Sequence, residues 1–199
     1  MKKSDIFVGL AISLLIAGFL IPTLVNTTHV FTKFPALFVY GGLFVGFPIL
    51  TVVGLAIAGF LGKKFAVLWQ FAKFGLVGVL NTAIDFGILN ILLHLTRVTS
   101  GPLILFLNAV SFSTASINSY YWNRSWVFHG AKKSDFVSFM AVTLIGLAIN
   151  SAIVFVLTTF LHPILGTSGT QWANLSKVLA TGVSLIWNFV GYRVIVFAK

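Results

Sequence analysis

The chain has 199 residues, of which 58% are hydrophobic and 8% are charged, and 13 Lys and Arg against three Asp give a net charge of +10. A soluble domain carries about a quarter charged residues, so this composition excludes a soluble protein and indicates that the lipid bilayer is the solvent. The basic residues gather in short segments between apolar runs, which excludes nucleic acid as a partner and predicts contacts with anionic membrane lipids. Cysteine is absent, which excludes disulfides and cysteine metal sites.

Six long apolar runs predict six transmembrane helices, because about 20 apolar residues span the hydrocarbon core. Barrel strands alternate apolar and polar residues, so continuous runs of this length indicate helices. The first run is too long for a secretory signal, and no small-residue cleavage site follows it. The predicted fold is therefore an all-α membrane bundle with helices at residues 6–25, 36–61, 71–95, 102–122, 136–161 and 172–192.

The basic residues between the predicted helices lie mostly on one side of the membrane. The opposite side carries only Lys33 and Arg97. This bias places both termini in the cytoplasm, and we expect a multi-pass protein of the plasma (inner) membrane. The side of the termini, including loops 2–3 and 4–5, carries ten: Lys2, Lys3, Lys63, Lys64, Lys73, Arg124, Lys132, Lys133, Arg193 and Lys199.

An internal repeat relates helices 3 and 4 to helices 5 and 6. At an offset of 65, Phe71, Phe74 and Asp85 match Phe136, Phe139 and Asn150. At an offset of 69, Arg124-x-x-Val127-Phe128 matches Arg193-x-x-Val196-Phe197. Each copy is a two-helix hairpin, so the two repeats should be parallel, related by an axis along the membrane normal. The predicted domains are an N-terminal transmembrane hairpin, 1–62, and a four-helix transmembrane domain, 63–199.

Residues 71–197 resemble the GtrA-like family of small four-helix membrane proteins. The resemblance implies a role in surface polysaccharide or glycolipid assembly, in which members carry polyprenyl-phosphate-linked monosaccharides across the membrane. It also implies a membrane glycosyltransferase of the dolichol-phosphate-mannose type as a partner. This chain departs from the family in Ser176, where Ala is usual, in Ser119 of the first repeat, and in its extra N-terminal hairpin. The matching features are Phe71-x-x-Phe74, Asp85, Arg124-x-Trp126-Val127-Phe128, Gly146, Asn150, Lys177, Asn188-Phe189, Arg193 and Phe197.

Asp85 and Lys177 are an acid and a base within predicted spans. A charge in the membrane costs at least about 2.5 kcal/mol, so such groups normally face the bundle interior and have a partner. At about 1.5 Å per residue, both fall in the outer half of the ~30 Å core. We predict that they pair, directly or through Asn or water. Either the pair only fixes helix packing, or Lys177 meets a substrate phosphate or sugar while Asp85 holds it in place.

Further polar residues are candidates for substrate contacts. Arg124 and Arg193 occupy equivalent repeat positions near the cytoplasmic boundary, where forked guanidinium donors suit a lipid phosphate. The alternative is that they are topology charges that snorkel to the interface. Intramembrane amides are candidates for sugar hydroxyl contacts or for interhelical hydrogen bonds: Asn81, Asn118, Asn150 and Asn188.

The leading functional prediction is a translocase, or flippase, for a polyprenyl-phosphate-linked monosaccharide. Its head group would cross a polar interior of helices 3–6 while the tail stays in lipid. The alternatives are a scaffold that orients a glycosyltransferase, and a small-cation exporter with Asp85 as proton site. The sequence contains no paired carboxylates, no Ser-His-Asp arrangement, no phosphate loop and no metal cluster. We therefore predict no enzymatic activity, no catalytic residue, no metal and no cofactor. A homo-oligomer is a further candidate assembly.

Overall fold

The computed structural model describes residues 2–27, 34–127, 136–164 and 166–191, and no strand occurs in these ranges. Continuous apolar sequence forms helices here because lipid offers the backbone no hydrogen-bond partner. Helix α2 contains a π-helical segment, Gly42–Gly46, and α4 continues as a second one, Asn123–Val127. The helices are α1 Lys3–Thr27, α2 Ala36–Leu61, α3 Ala66–Thr96, α4 Pro102–Trp122, α5 Phe136–Phe160 and α6 Gly169–Gly191.

Five helices of the described ranges, α1 to α5, are long and apolar enough to cross a membrane. These agree with the predicted runs and confirm an all-α membrane bundle, a multi-pass membrane protein. Helix α6 has 23 residues, about 34 Å at 1.5 Å per residue, so it is also long enough to span a ~30 Å core. Its polar content sets it apart from the other five.

The polar residues of α6 form one stripe. Their spacing of four and three residues puts them on a single helix face. Lys177, Asn174 and Ser184 of this stripe are buried, whereas Val178 and Ile186 on other faces are 53% and 68% exposed. The helix therefore turns its polar face inward and its apolar face outward, the reverse of a helix in a water-soluble protein. The stripe consists of Thr170, Asn174, Lys177, Thr181, Ser184 and Asn188.

The turns before α4 and α6 explain where these helices begin. Gly101 has φ 80° and Gly166 has φ 69°, values that glycine adopts without the steric cost of a Cβ. Pro102 then opens α4, a position where its missing N–H is not needed. Before α6, the Gln171 N–H donates to Ser168 Oγ (3.3 Å) and the Ser168 N–H donates to Gln171 Oε1 (2.9 Å). This reciprocal capping box fixes the start of the helix.

Two basic residues that the prediction counted with the loops lie on helices. Helix α3 begins at Ala66, and Lys73, which the predicted helix 71–95 already included, is inside it. Arg124 lies in the π-helical continuation of α4. The prediction that placed them in loops 2–3 and 4–5 is wrong, because Trp and Lys at a membrane boundary do not end a helix; long basic side chains can extend to the interface from within it.

The described chain forms two compact units. Unit 1 comprises Met1–Gly87 and Ile117–His129, and unit 2 comprises Ile88–Ser116 and Gly130–Lys199. In unit 1, α1 packs on α2, and it meets α3 where Gly87 lies against the backbone of Phe19. In unit 2, α5 and α6 pack along their lengths. The core of unit 2 consists of Leu89, Leu93, Ile104, Leu107, Val154, Ala173 and Ala180. The predicted domains, 1–62 and 63–199, stay a prediction.

Candidate functional site

Lys177 is a fully buried cation in unit 2, with none of its surface exposed. The polar stripe of α6 directs it toward α4, where its Nζ donates to Asn108 Oδ1 at 2.5 Å and to Ser111 Oγ at 3.1 Å. Asn108 and Ser111 are three residues apart, so they share one face of α4. Ser111 in turn donates to the Asn108 carbonyl oxygen at 3.0 Å. Two neighbouring side chains of α4 thus hold the ammonium in place.

The contacts continue from Lys177 through three helices. Because the Asn108 carbonyl faces the ammonium, its Nδ2 points away and donates to Asn150 Oδ1 of α5 at 2.8 Å. Asn150 Nδ2 donates to Ser184 Oγ of α6 at 3.4 Å. Asn108 and Asn150 are both fully buried. We call Lys177, Asn108, Ser111, Asn150 and Ser184 the Lys177 network.

The Lys177 network surrounds a buried cation with polar groups. Asn108 and Ser111 are acceptors that replace water around the ammonium. An ammonium moved into a low-dielectric interior loses hydration on the order of several kcal/mol, which is recovered only through opposite charge and well-placed hydrogen bonds. An ammonium suits an anionic group such as a phosphate, and the amides of the network can donate to and accept from hydroxyl groups.

A second pair of buried amides lies in unit 2, near the Thr96 end of α3 and the Gly169 end of α6. Asn90 Nδ2 donates to Asn174 Oδ1 at 2.6 Å, and Asn174 Nδ2 donates back to Asn90 Oδ1 at 2.9 Å. Asn174 also donates to the Thr170 carbonyl oxygen. Since each amide satisfies the other, this pair ties α3 to α6 and is a structural contact.

We expect Asn90→Leu to lower the free energy of unfolding by about 1–3 kcal/mol, because it leaves the buried Asn174 amide without its reciprocal partner. Adding Asn174→Leu should recover part of that loss, giving a coupling energy of about 1 kcal/mol. Denaturant unfolding of the purified protein in detergent measures both values. Thr114→Val serves as control, because the exposed Thr114 bonds only the backbone of its own helix. Strictly additive losses for the two Leu substitutions would contradict the pairing.

Two of the polar candidates of unit 1, Asn81 and Asp85, occupy one face of α3. Asn81 Oδ1 accepts from Asn118 Nδ2 at 2.7 Å, and Asn118 Oδ1 accepts from Trp122 Nε1 at 3.0 Å. Asp85 is four residues after Asn81, so it lies on the same face, and it is 6% exposed. The structure thus brings Asn81 and Asn118 together and buries the one acid predicted within a span.

The remaining candidates are placed separately. Arg124 is exposed and donates to the Tyr120 hydroxyl at 3.0 Å, with its guanidinium over the Tyr120 ring. Arg193 lies outside the described residues. Asn188 Oδ1 is buried without a hydrogen-bond partner in the described part of the chain, beside Gly146, where a Cβ would come within 2.5 Å of it. Gly146 thus leaves room for the Asn188 side chain, whose Oδ1 can still accept a hydrogen bond.

The comparisons with known proteins decide the family. The model of the GtrA/DPMS transmembrane domain matches residues 73–197. The chain belongs to this family. It is also 35% identical over 125 residues to the uncharacterized membrane protein YngA of Bacillus subtilis (strain 168), a match that covers 63% of this chain and 77% of that protein. No solved structure matches the chain. A GtrA/DPMS-type membrane domain suggests involvement in glycolipid or polysaccharide synthesis.

The GtrA/DPMS match contains the whole Lys177 network and leaves out α1 and α2. This confirms the family resemblance. Within the domain, sequence reasoning selected Lys177 and Asn150 but did not select Asn108, Ser111 or Ser184. The repeat held the missing signal, because Asn108 and Lys177 are 69 residues apart, the offset that relates α4 to α6. These equivalent positions contact each other, as residues on either side of a two-fold axis do.

Proposed function

We propose that this protein is a flippase that carries a polyprenyl-phosphate-linked monosaccharide across the membrane for cell-surface polysaccharide or glycolipid assembly. Family membership supports the pathway class, and the observation that carries the proposal is the fully buried Lys177, whose ammonium donates to Asn108 and Ser111. A protein that only anchors a transferase gains nothing from burying a cation in the membrane, which is costly and usually functional.

In this mechanism Lys177 binds the phosphate of the substrate and replaces the water that the phosphate loses on leaving the interface. The amides of Asn150 and Asn188 in unit 2 contact the sugar hydroxyls, and Asn81 and Asn118 of unit 1 stay separate candidates for such a contact. The polyprenyl tail stays in the surrounding lipid, so only the head group requires a polar path. Arg124 and Arg193 attract the phosphate where it arrives. No residue is assigned a catalytic role, and no metal or cofactor takes part.

The internal repeat relates Asn108 to Lys177 at an offset of 69 and Asn150 to Asp85 at an offset of 65. The pairing of Asp85 with Lys177 stays a prediction from the sequence.

The proposed setting follows from charge and family. The bias of the basic residues to one side supports cytoplasmic termini, and we propose the plasma (inner) membrane as the location. The glycosyltransferase that makes the lipid-linked sugar is the proposed protein partner, and a homo-oligomer is compatible with the same role.

Reconstitution tests the function. The purified full chain is placed in liposomes with a polyprenyl-phosphate monosaccharide, and a membrane-impermeant reagent that modifies sugars reports how fast inner-leaflet sugar becomes accessible outside. We expect clear acceleration over protein-free vesicles, without any transferase present. If the rate equals that of empty vesicles, the scaffold alternative replaces the flippase.

A further inference from the structure

A second polar site lies in unit 1, at the end of the helices where the chain begins. A cavity of about 490 Å³ opens there, lined by Lys2, Asp5, Trp69, Lys73 and Trp126 and by two serines. We call it the Lys73 pocket. Lys73 and Trp126 belong to the family match, whereas Lys2 and Asp5 come from the additional N-terminal hairpin. The pocket is thus completed by a part of the chain that the GtrA/DPMS domain does not supply.

Lys73 is a fixed cation in this pocket. Its Nζ donates to the Trp126 carbonyl oxygen at 3.0 Å. The same ammonium lies 5.3 Å from the centre of the Trp69 ring and 5.4 Å from the centre of the Trp126 ring. Both distances are within the range of cation–π attraction. A lysine held on three sides in this way has already lost most of its side-chain freedom, so an anion that binds it does not have to order it.

Both carboxylate oxygens of Asp5 accept hydrogen bonds from other residues that line the pocket. Its Oδ1 accepts from Trp126 Nε1 at 3.0 Å, and its Oδ2 accepts from the Lys2 backbone N–H at 2.8 Å. Asp5 is buried and its bond to Trp126 joins residues 121 positions apart. Two lysines and one aspartate leave the three side chains with a net charge of +1. The electrostatic balance therefore favours an anion.

We propose that the Lys73 pocket binds the phosphate group of a lipid at this face of the membrane. Phosphate offers only acceptors, which suits the ammonium groups of Lys73 and Lys2. Helix α1 begins at Lys3, so the positive end of its dipole also faces the pocket. Trp69 and Trp126 also line the pocket, and Trp side chains are enriched at the depth of the lipid head groups. The pocket goes beyond the proposed translocation, because its ligand is either the arriving substrate lipid or an anionic phospholipid that stabilises the protein.

Binding to the full chain in nanodiscs of zwitterionic lipid tests the pocket, with polyprenyl phosphate, phosphatidylglycerol and inorganic phosphate as three separate probes. Lys73→Met should weaken binding of a phosphate-bearing probe about tenfold. Lys64→Met is the matched control, because it removes the same charge from an exposed residue outside the pocket, and it should change binding less than about twofold. Equal losses in the two variants, or no binding of any probe, would overturn the pocket.

Asp5→Asn gives an independent result of opposite sign. It removes the negative charge but keeps an oxygen that can accept from Trp126, so the affinity for phosphate should rise. Weaker binding of phosphate in a folded Asp5→Asn protein would overturn the proposal. If that variant does not fold, Lys2→Met replaces it, since the Lys2 backbone N–H still holds Asp5, and binding should fall.

The three probes then identify the source of the phosphate. Binding of polyprenyl phosphate alone assigns the pocket to the substrate lipid. Equal binding of phosphatidylglycerol assigns it to bulk anionic lipid, and binding of inorganic phosphate shows that the phosphate group is sufficient. Each of these outcomes supports the pocket. Failure here leaves translocation through Lys177 unaffected, because the readout is equilibrium binding and not transport.

Discussion

Replacing Lys177 with Met is expected to reduce sugar-lipid translocation by about 10- to 100-fold, the equivalent of about 1.5–3 kcal/mol for a hydrogen bond to a charged group. The physical reason is that Met keeps the length of the side chain and removes the charge that would meet the phosphate. The Asn108 and Ser111 oxygens lose their donor. The liposome assay measures the rate, with thermal unfolding as the parallel measurement of stability.

Stability separates a substrate contact from a packing role at Lys177. Replacing a buried charge by an apolar side chain is often neutral or stabilising when no opposite charge is stranded. A Lys177→Met protein that keeps its unfolding temperature but loses transport therefore points to a substrate contact. Lys63→Met, which changes an exposed residue, controls for the loss of net charge. Transport at the wild-type rate in Lys177→Met would end the proposed mechanism.

Gly87→Ala is expected to lower the free energy of unfolding by about 1–3 kcal/mol or more, the usual range for overpacking. A Cβ at position 87 would lie far inside van der Waals contact with the Phe19 carbonyl oxygen, and 3.0 Å from the Phe19 carbonyl carbon and Cβ. Because a backbone atom cannot rotate away, α1 has to move from α3. Denaturant unfolding in detergent measures the change.

Gly78→Ala is the matched control on the same helix. Nothing lies within 4 Å of a Cβ built at Gly78, so this substitution should be neutral or stabilising by about 0.5–1 kcal/mol, the helix preference for Ala over Gly. Similar losses for Gly78→Ala and Gly87→Ala would show that the effect comes from helix propensity, and that the close approach of α1 is not important for stability.

The sequence predicted the helices well, because a run of apolar residues needs no partner to be recognised. It also found the buried cation, since Lys177 interrupts such a run. The neighbours of that cation were harder to predict. The polar stripe on α6 indicates which face of the helix carries Lys177, but it does not indicate which side chain of another helix contacts it. The contact with Asn108 depends on how α4 and α6 pack, and only the repeat offset of 69 residues hinted at it.

The Lys73 pocket escaped sequence reasoning for a related reason. Lys2 was interpreted as an N-terminal topology charge and Lys73 as a loop charge, and Asp5 was given no role. Local sequence carries no sign that the first turn of α1 meets Trp126, 121 residues away. The π-helical segment Asn123–Val127 contributes as well, because it alters the helical phase that would otherwise predict which way Trp126 faces.

The reversed amphipathicity of α6 has a consequence for how the protein is made. A segment with a lysine in its first half and several amides partitions poorly into lipid by itself, since a Lys at the centre of a span opposes insertion by about 2.5–3.5 kcal/mol and one nearer the end still opposes it. Helix α6 follows Asn108 and Asn150 in the chain, so both have been synthesised before it leaves the ribosome. Biogenesis of α6 is thus coupled to tertiary assembly, and the acceptors that solvate Lys177 in the finished protein also help to bring it into the bilayer.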